Sequence, residues 1–181
     1  MHENGDQHFV GLIKDAYENA AKAGVLQFKN YLYLERGPYN IVSVMDEGVT
    51  SEPFSVKGTL IDLYDPKLPV LSEKIVQPGT QALMYNIDRV NIKKQPQVLA
   101  AASRVYDEKT DGNNYSFIAK SPVNTTNSMR ILLPQNPKEI SVKNEDNKAL
   151  PGFETSWDNL SKTLYLSFEN NPNGVNVIIN W

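Results

Sequence analysis

From Leu26 to Trp181 the chain runs in short stretches of alternating apolar and polar residues, punctuated by glycine, proline, asparagine and aspartate. A period of two sends successive side chains to opposite faces of an extended strand, so each stretch can bury one face. Tyr31-Leu32-Tyr33-Leu34, then Glu35-Arg36-Gly37-Pro38, then Tyr39 to Met45 reads as strand, turn and strand, a hairpin. Phe54 to Leu60, Val70 to Val76 and Gln81 to Ile87 continue the pattern, broken at Asp65-Pro66 through Pro69 and at Pro78-Gly79. A further series comprises Val98 to Tyr106, a turn at Thr110-Asp111-Gly112-Asn113, Tyr115 to Ala119, Ser128 to Leu133, Glu139 to Lys143, Thr163 to Phe168 and Val175 to Trp181. The expected fold is mainly β: an antiparallel, immunoglobulin-like β-sandwich, either two small sandwiches in tandem or one large one. Without alternation of strands and helices, a doubly wound parallel sheet is disfavoured.

One helix precedes the strands. Phe9, Leu12, Ile13, Ala16, Tyr17 and Ala20 recur at helical spacing and gather on one face, predicting an amphipathic helix of about 16 residues. Asp6 is placed to cap its N-terminus, Lys22 suits the dipole at its last turn, and Gly24 suits a left-handed terminating residue. A single apolar stripe needs a surface to pack on, and the side of a sheet is the expected one. The polar, proline-bearing stretch Ile92 to Gln97 is the expected boundary. The division is an N-terminal helix over 1–25, a first β-sandwich region over 26–95 and a second β-sandwich domain over 96–181. Because the strand Val175–Trp181 closes the chain without a tail, the sequence reads as the final segment of a modular protein.

Composition narrows the chemistry. A net charge of −3 with interspersed signs gives no basic footprint for nucleic acid. No apolar stretch approaches the roughly 20 residues that span a bilayer, and the first residues lack the pattern of a secretory signal. Localisation is left open by this. With no cysteine, disulfides, thiolate metal sites and a cysteine nucleophile are excluded. His2 and His8 are the only histidines and lie close to the N-terminus, so a Ser-His-Asp triad has no support. No phosphate-binding or dinucleotide glycine pattern occurs, and no cofactor is implied.

What remains is carboxylates and aromatics. Asp46-Glu47 follows a strand, and Asp62 with Asp65 flanks Leu63-Tyr64; a glycosidase would need two such acids facing one sugar. The loop Asp107 to Asn114 carries hard oxygen ligands of the kind calcium takes, without EF-hand spacing, and its Asp-Gly is also a hairpin-turn signal. Tyr31, Tyr33, Tyr39, Tyr64, Trp157 and Trp181 are candidate sugar-stacking rings, although such rings more often pack cores. Trp157, set among Ser156, Asp158 and Asn159 at a loop or strand start, is the foremost carbohydrate-binding candidate.

The stretch Tyr33 to Glu47 resembles the β-rich C-terminal portion of large glycoside-hydrolase-like proteins from gut Bacteroidetes. Lys57-Gly58-Thr59-Leu60-Ile61-Asp62-Leu63-Tyr64-Asp65 and Pro78-Gly79-Thr80-Gln81-Ala82-Leu83-Met84-Tyr85 carry the same likeness. Ser121-Pro122, Arg130 to Pro134, Ser156-Trp157-Asp158 and Leu164 to Phe168 are similar to a glycosidase accessory sandwich. The resemblance implies a place beside a catalytic barrel, a periplasmic or cell-surface location for such relatives, and no catalytic residue in this chain. The leading expectation is therefore a non-catalytic accessory β-sandwich region that packs against a catalytic domain. A carbohydrate-binding module using exposed aromatics, and a small glycosidase using Asp46, Glu47 or Asp62, are the alternatives.

Overall fold

The computed structural model describes residues 3–48, 50–91 and 96–181, with side chains from residue 7 onward. Of the expected boundary stretch Ile92 to Gln97, residues 92–95 lie outside the described residues, as does His2, whereas Gln97 already pairs with Leu132 in a strand. Among the described residues the sheets are all antiparallel, preceded by a helix, α1 (Glu3–Asp15), that continues as a π-helical turn over Ala16–Ala20, and a short 3-10 turn lies at Ile87–Arg89.

The first sheet contains β1 (Tyr31–Arg36), β2 (Tyr39–Val44), β3 (Phe54–Asp62), β4 (Val70–Val76) and β5 (Gln81–Asn86), ordered β1-β2-β5-β3-β4. The hairpin forms where the alternation breaks, with Gly37 at φ +56° in the turn. β3 bends the sheet. Its first half, Phe54 to Lys57, pairs with β4 alone, whereas Leu60 and Ile61 pair with both β4 and β5. Gly58 sits in the register shift at φ +145°, a conformation open to glycine. The Thr59 N–H beside the bulge donates to the Asp88 carboxylate at 2.9 Å. The bend folds the sheet over itself, so the Phe54 ring reaches Tyr31 at 4.1 Å although β1 and β3 are not neighbours. Val42, Val44, Val56, Leu60, Val76, Ala82 and Met84 fill the space inside.

The second part is a two-sheet sandwich of β6 (Gln97–Ala101), β7 (Arg104–Asp111), β8 (Asn114–Lys120), β9 (Thr126–Leu132), β10 (Glu139–Lys143), β11 (Glu154–Asp158), β12 (Thr163–Glu169) and β13 (Val175–Asn180). One sheet runs β11-β12-β9-β6 and the other β10-β13-β8-β7. Met129, Ile131, Leu164, Leu166 and Phe168 from one face Tyr115, Phe117, Val175, Val177 and Ile179 from the other. This order differs from the immunoglobulin constant-type sheets, in which the strands run A-B-E-D and C-F-G.

Several local expectations are corrected. The stretch Val98 to Tyr106 is two strands in different sheets, cornering at Ala102-Ser103; its run of alanines carries no glycine or proline to announce the corner. β7 continues through Asp111, since Thr110 and Asp111 pair with Tyr115 and Asn114, which tightens the turn to Gly112-Asn113. Asp6 is inside α1 rather than at its start. Lys22, at φ +51°, takes the left-handed position after the helix, and the Ala23 N–H closes the turn onto the Tyr17 carbonyl at 3.0 Å. Gly24 is also left-handed, at φ +92°. The stripe of α1 is not packed on the sheet: Phe9, Leu12, Ile13 and Tyr17 are exposed.

The bent sheet and the sandwich meet through a third apolar cluster. Ile61, Leu68 and Ile87 pack on Leu99, Leu132 and Tyr165. Arg130, buried in β9, donates from Nε and Nη2 to the Leu68 carbonyl at 3.1 and 2.6 Å, and its guanidinium lies 5.5 Å from the centre of the Tyr165 ring.

Candidate functional site

Pairing register places Leu34, Ile41 and Leu83 side by side across β1, β2 and β5, with the Leu63 N–H bonded to the Leu83 carbonyl at the end of the row. Alternation puts these residues on the face opposite Val42, Met84 and the enclosed core. Leu34 is 55% and Ile41 40% exposed, and Leu32 in the next row is 71% exposed. Farther along the same face, Tyr39 meets Tyr85 edge-on at 5.3 Å, and Ile61 joins the contact with the sandwich. The face is thus covered by the sandwich at one end and open at the other. Upstream, Val25 and Phe28 are exposed along with the helix stripe. The Leu26 N–H donates to the Glu18 carboxylate at 2.9 Å, which folds the connecting segment back on the helix. The apolar row on β1, β2 and β5 and the exposed stripe of the helix are the two candidate surfaces.

The carboxylates do not converge. Asp62 is buried, paired with Lys74 Nζ at 2.5 Å, and accepts the Tyr64 N–H at 3.1 Å. Asp62 is opposite Met84, which is opposite Asn40, whereas Asp46 lies past the other end of β2. At strand rise that is a separation of about 20 Å. Asp46 and Glu47 are exposed, and the Asp46 side chain accepts the Glu47 N–H at 3.0 Å. Asp65 accepts the Lys67 N–H at 2.8 Å and orders its own turn. Glu35, by contrast, is held below the ordinary carboxylate range by hydrogen bonds from Arg89 and Tyr33.

Trp157 lies on the edge strand β11, half-buried, opposite Leu164 and packed on the sandwich core. Trp181 is buried in the same core, its N–H bonded to the Asn113 carbonyl at 3.1 Å, and so presents no platform. Tyr31 and Tyr33 pack on Phe54, while Tyr64 is exposed. Tyr39 lines a cleft of about 460 Å³ at the mouth of the contact between bent sheet and sandwich, with Leu63, Pro66, Leu68, Leu99 and Ser128. The Asp107 to Asn114 stretch is strand and hairpin, and among the described residues no group of three or more histidine, aspartate or glutamate side chains is placed to hold a metal. His8 is exposed on α1.

The sequence assigns no role to Arg130 beyond its place in the Arg130 to Pro134 stretch. Its one signal was a charge within the apolar stretch Met129 to Leu133. Burial pushes its pKa down, opposed by the nearby Asp158 charge and by Tyr165. Burial alone would raise Asp158, but the Ser161 N–H and hydroxyl, each at 2.7 Å, and the Arg130 charge hold it below the usual range.

No protein-family model matches the chain, and no curated protein or solved structure gives a significant match. Among the described residues no helix is long and apolar enough to cross a membrane.

Proposed function

We propose that this chain is a non-catalytic accessory β-sandwich region of a carbohydrate-active, glycoside-hydrolase-like protein. It docks against that protein's catalytic domain through α1 and the open end of the β1–β2 face. The observation that carries the reading is the Leu34–Ile41–Leu83 row with Leu32 beside it, in which Leu32, Leu34 and Ile41 are exposed while the far end of the same face packs on the sandwich through Ile61 and Tyr85. Contiguous apolar surface of this kind marks an interaction site, because its exposure to water costs free energy that a partner removes. The carbohydrate setting rests on the resemblance of the Tyr33–Glu47 and Lys57–Asp65 stretches.

The test compares this chain with the polypeptide encoded together with the reading frame upstream of it. Hydrogen exchange at residues 9–17 and 32–41 is expected to slow at least tenfold in the longer protein. Two results overturn the reading: enzyme-like hydrolysis of glycans by the isolated chain, or an upstream frame that encodes no carbohydrate-active domain.

A further inference from the structure

Arg104 and Lys120 are direct register partners on β7 and β8, two like charges side by side on the outer face of the sandwich. Like charges directly opposite one another destabilise a pair of strands, so the arrangement works against local stability. Among the described residues, neither side chain has a carboxylate within salt-bridge distance. The two cations line a recess of about 580 Å³ with Tyr106, Ser103, Ser121 and Pro172, and no acidic side chain lines it.

The recess is built around these charges. Lys120 Nζ lies 5.8 Å from the centre of the Tyr106 ring, which is itself partly open to solvent. The stem of Lys120 rests against the backbone at Gly174, where an added Cβ would stand 3.4 Å from Lys120 Cε and 2.9 Å from Ile118 Cγ2. Ser103 Oγ is buried and has no hydrogen-bond partner among the described residues, while Ser121 Oγ donates to the Ala102 carbonyl at 3.2 Å. A guanidinium fork and an ammonium thus stand beside an aromatic face.

We infer that this recess binds an anionic group, a carboxylate or sulfate, carried on a ring-shaped ligand whose flat side lies on Tyr106. The anion relieves the repulsion between Arg104 and Lys120 and accepts hydrogen bonds from the fork of Arg104 and the ammonium of Lys120. The site is separate from the apolar docking face, and the inference stands whether or not that docking occurs.

The experiment is an amide-resolved NMR titration of the full chain with D-glucuronate, its neutral twin D-glucose, and inorganic sulfate. Glucuronate is expected to shift the amides of Ser103 to Tyr106 and Lys120 to Ser121 and to bind more tightly than sulfate; glucose is expected to leave them in place. Arg104→Gln and Lys120→Gln are each expected to weaken glucuronate at least tenfold without changing the rest of the spectrum. Both side chains are exposed, so the variants are expected to fold. Equal shifts by glucose and glucuronate, silence toward both anions, or unchanged affinity in both variants overturns the site. Sulfate binding as tightly as glucuronate overturns the ring contact with Tyr106.

Discussion

Replacing Arg130 with methionine removes the polar clasp between bent sheet and sandwich while keeping much of the side chain's apolar volume. Two guanidinium N–H groups meet the one Leu68 oxygen, so they count as one charge-assisted bond of about 1.5–3 kcal/mol. Leu68 is buried, and leaving its carbonyl unpaired costs about 1–3 kcal/mol more. Release from burying a cation, the pressure that lowers the pKa of Arg130, gives back part of this. The net expectation is a loss of about 2–3 kcal/mol, felt at the junction rather than in either core. Both tryptophans, Trp157 and Trp181, belong to the sandwich, so fluorescence reports on it alone while far-ultraviolet circular dichroism reports on every strand. In urea, the two signals should coincide for the native chain. In Arg130→Met the dichroism should begin to fall at lower urea, with the fluorescence midpoint nearly unmoved. A change below about 0.5 kcal/mol with coincident curves, or fluorescence that falls first, would refute the reasoning.

Lys74→Met leaves the buried Asp62 carboxylate with the Tyr64 N–H as its remaining partner and should cost about 1–3 kcal/mol, with Asp62→Asn in the same background restoring part of it in thermal melts. Gly174→Ala adds a Cβ at φ +124° against Ile118 and should cost at least about 1–3 kcal/mol by urea unfolding. Because the folded pKa of Asp158 is depressed, its contribution is present above the unfolded value and is lost as pH falls from about 4 through the folded pKa. Asp158→Asn should therefore flatten the acid limb of stability against pH, measured by melting temperature. Leu34→Thr with Ile41→Thr, which puts β-branched residues at two positions paired across the strands and adds no charge, should lower binding of a hydrophobic dye severalfold while costing about 1 kcal/mol or less of stability.

Much of the strand pattern was legible because half-buried strands write their period into the sequence. Val70–Val76 and Glu139–Lys143 fall where the alternation puts them, and Gly37 and Gly79 mark their turns by positive φ. The alanine corner at Ala102 was not legible, since alanine suits a strand, a corner or a helix almost equally. β11 was obscured by the short polar run Glu154-Thr155-Ser156 on an exposed edge strand. The candidate site divided in the same way. The apolar stripe of the helix was visible, but its exposure depends on what packs nearby. The like-charged pair Arg104 and Lys120 becomes apparent only once register is known, because 15 intervening residues separate the two in the chain.

β13 lies between β8 and β10, although it is made after both. Asn114 and Asn180, whose side chains bond across the β8–β13 pair at 2.8 Å, are 66 positions apart. During vectorial synthesis β8 can find β7 early, but its other edge and the edge of β10 stay open until the last strand emerges. The sandwich therefore closes late, by insertion of a strand into a gap, and its nascent form carries two free edges that invite pairing with other chains. Slow, concentration-sensitive refolding is the consequence written into that strand order.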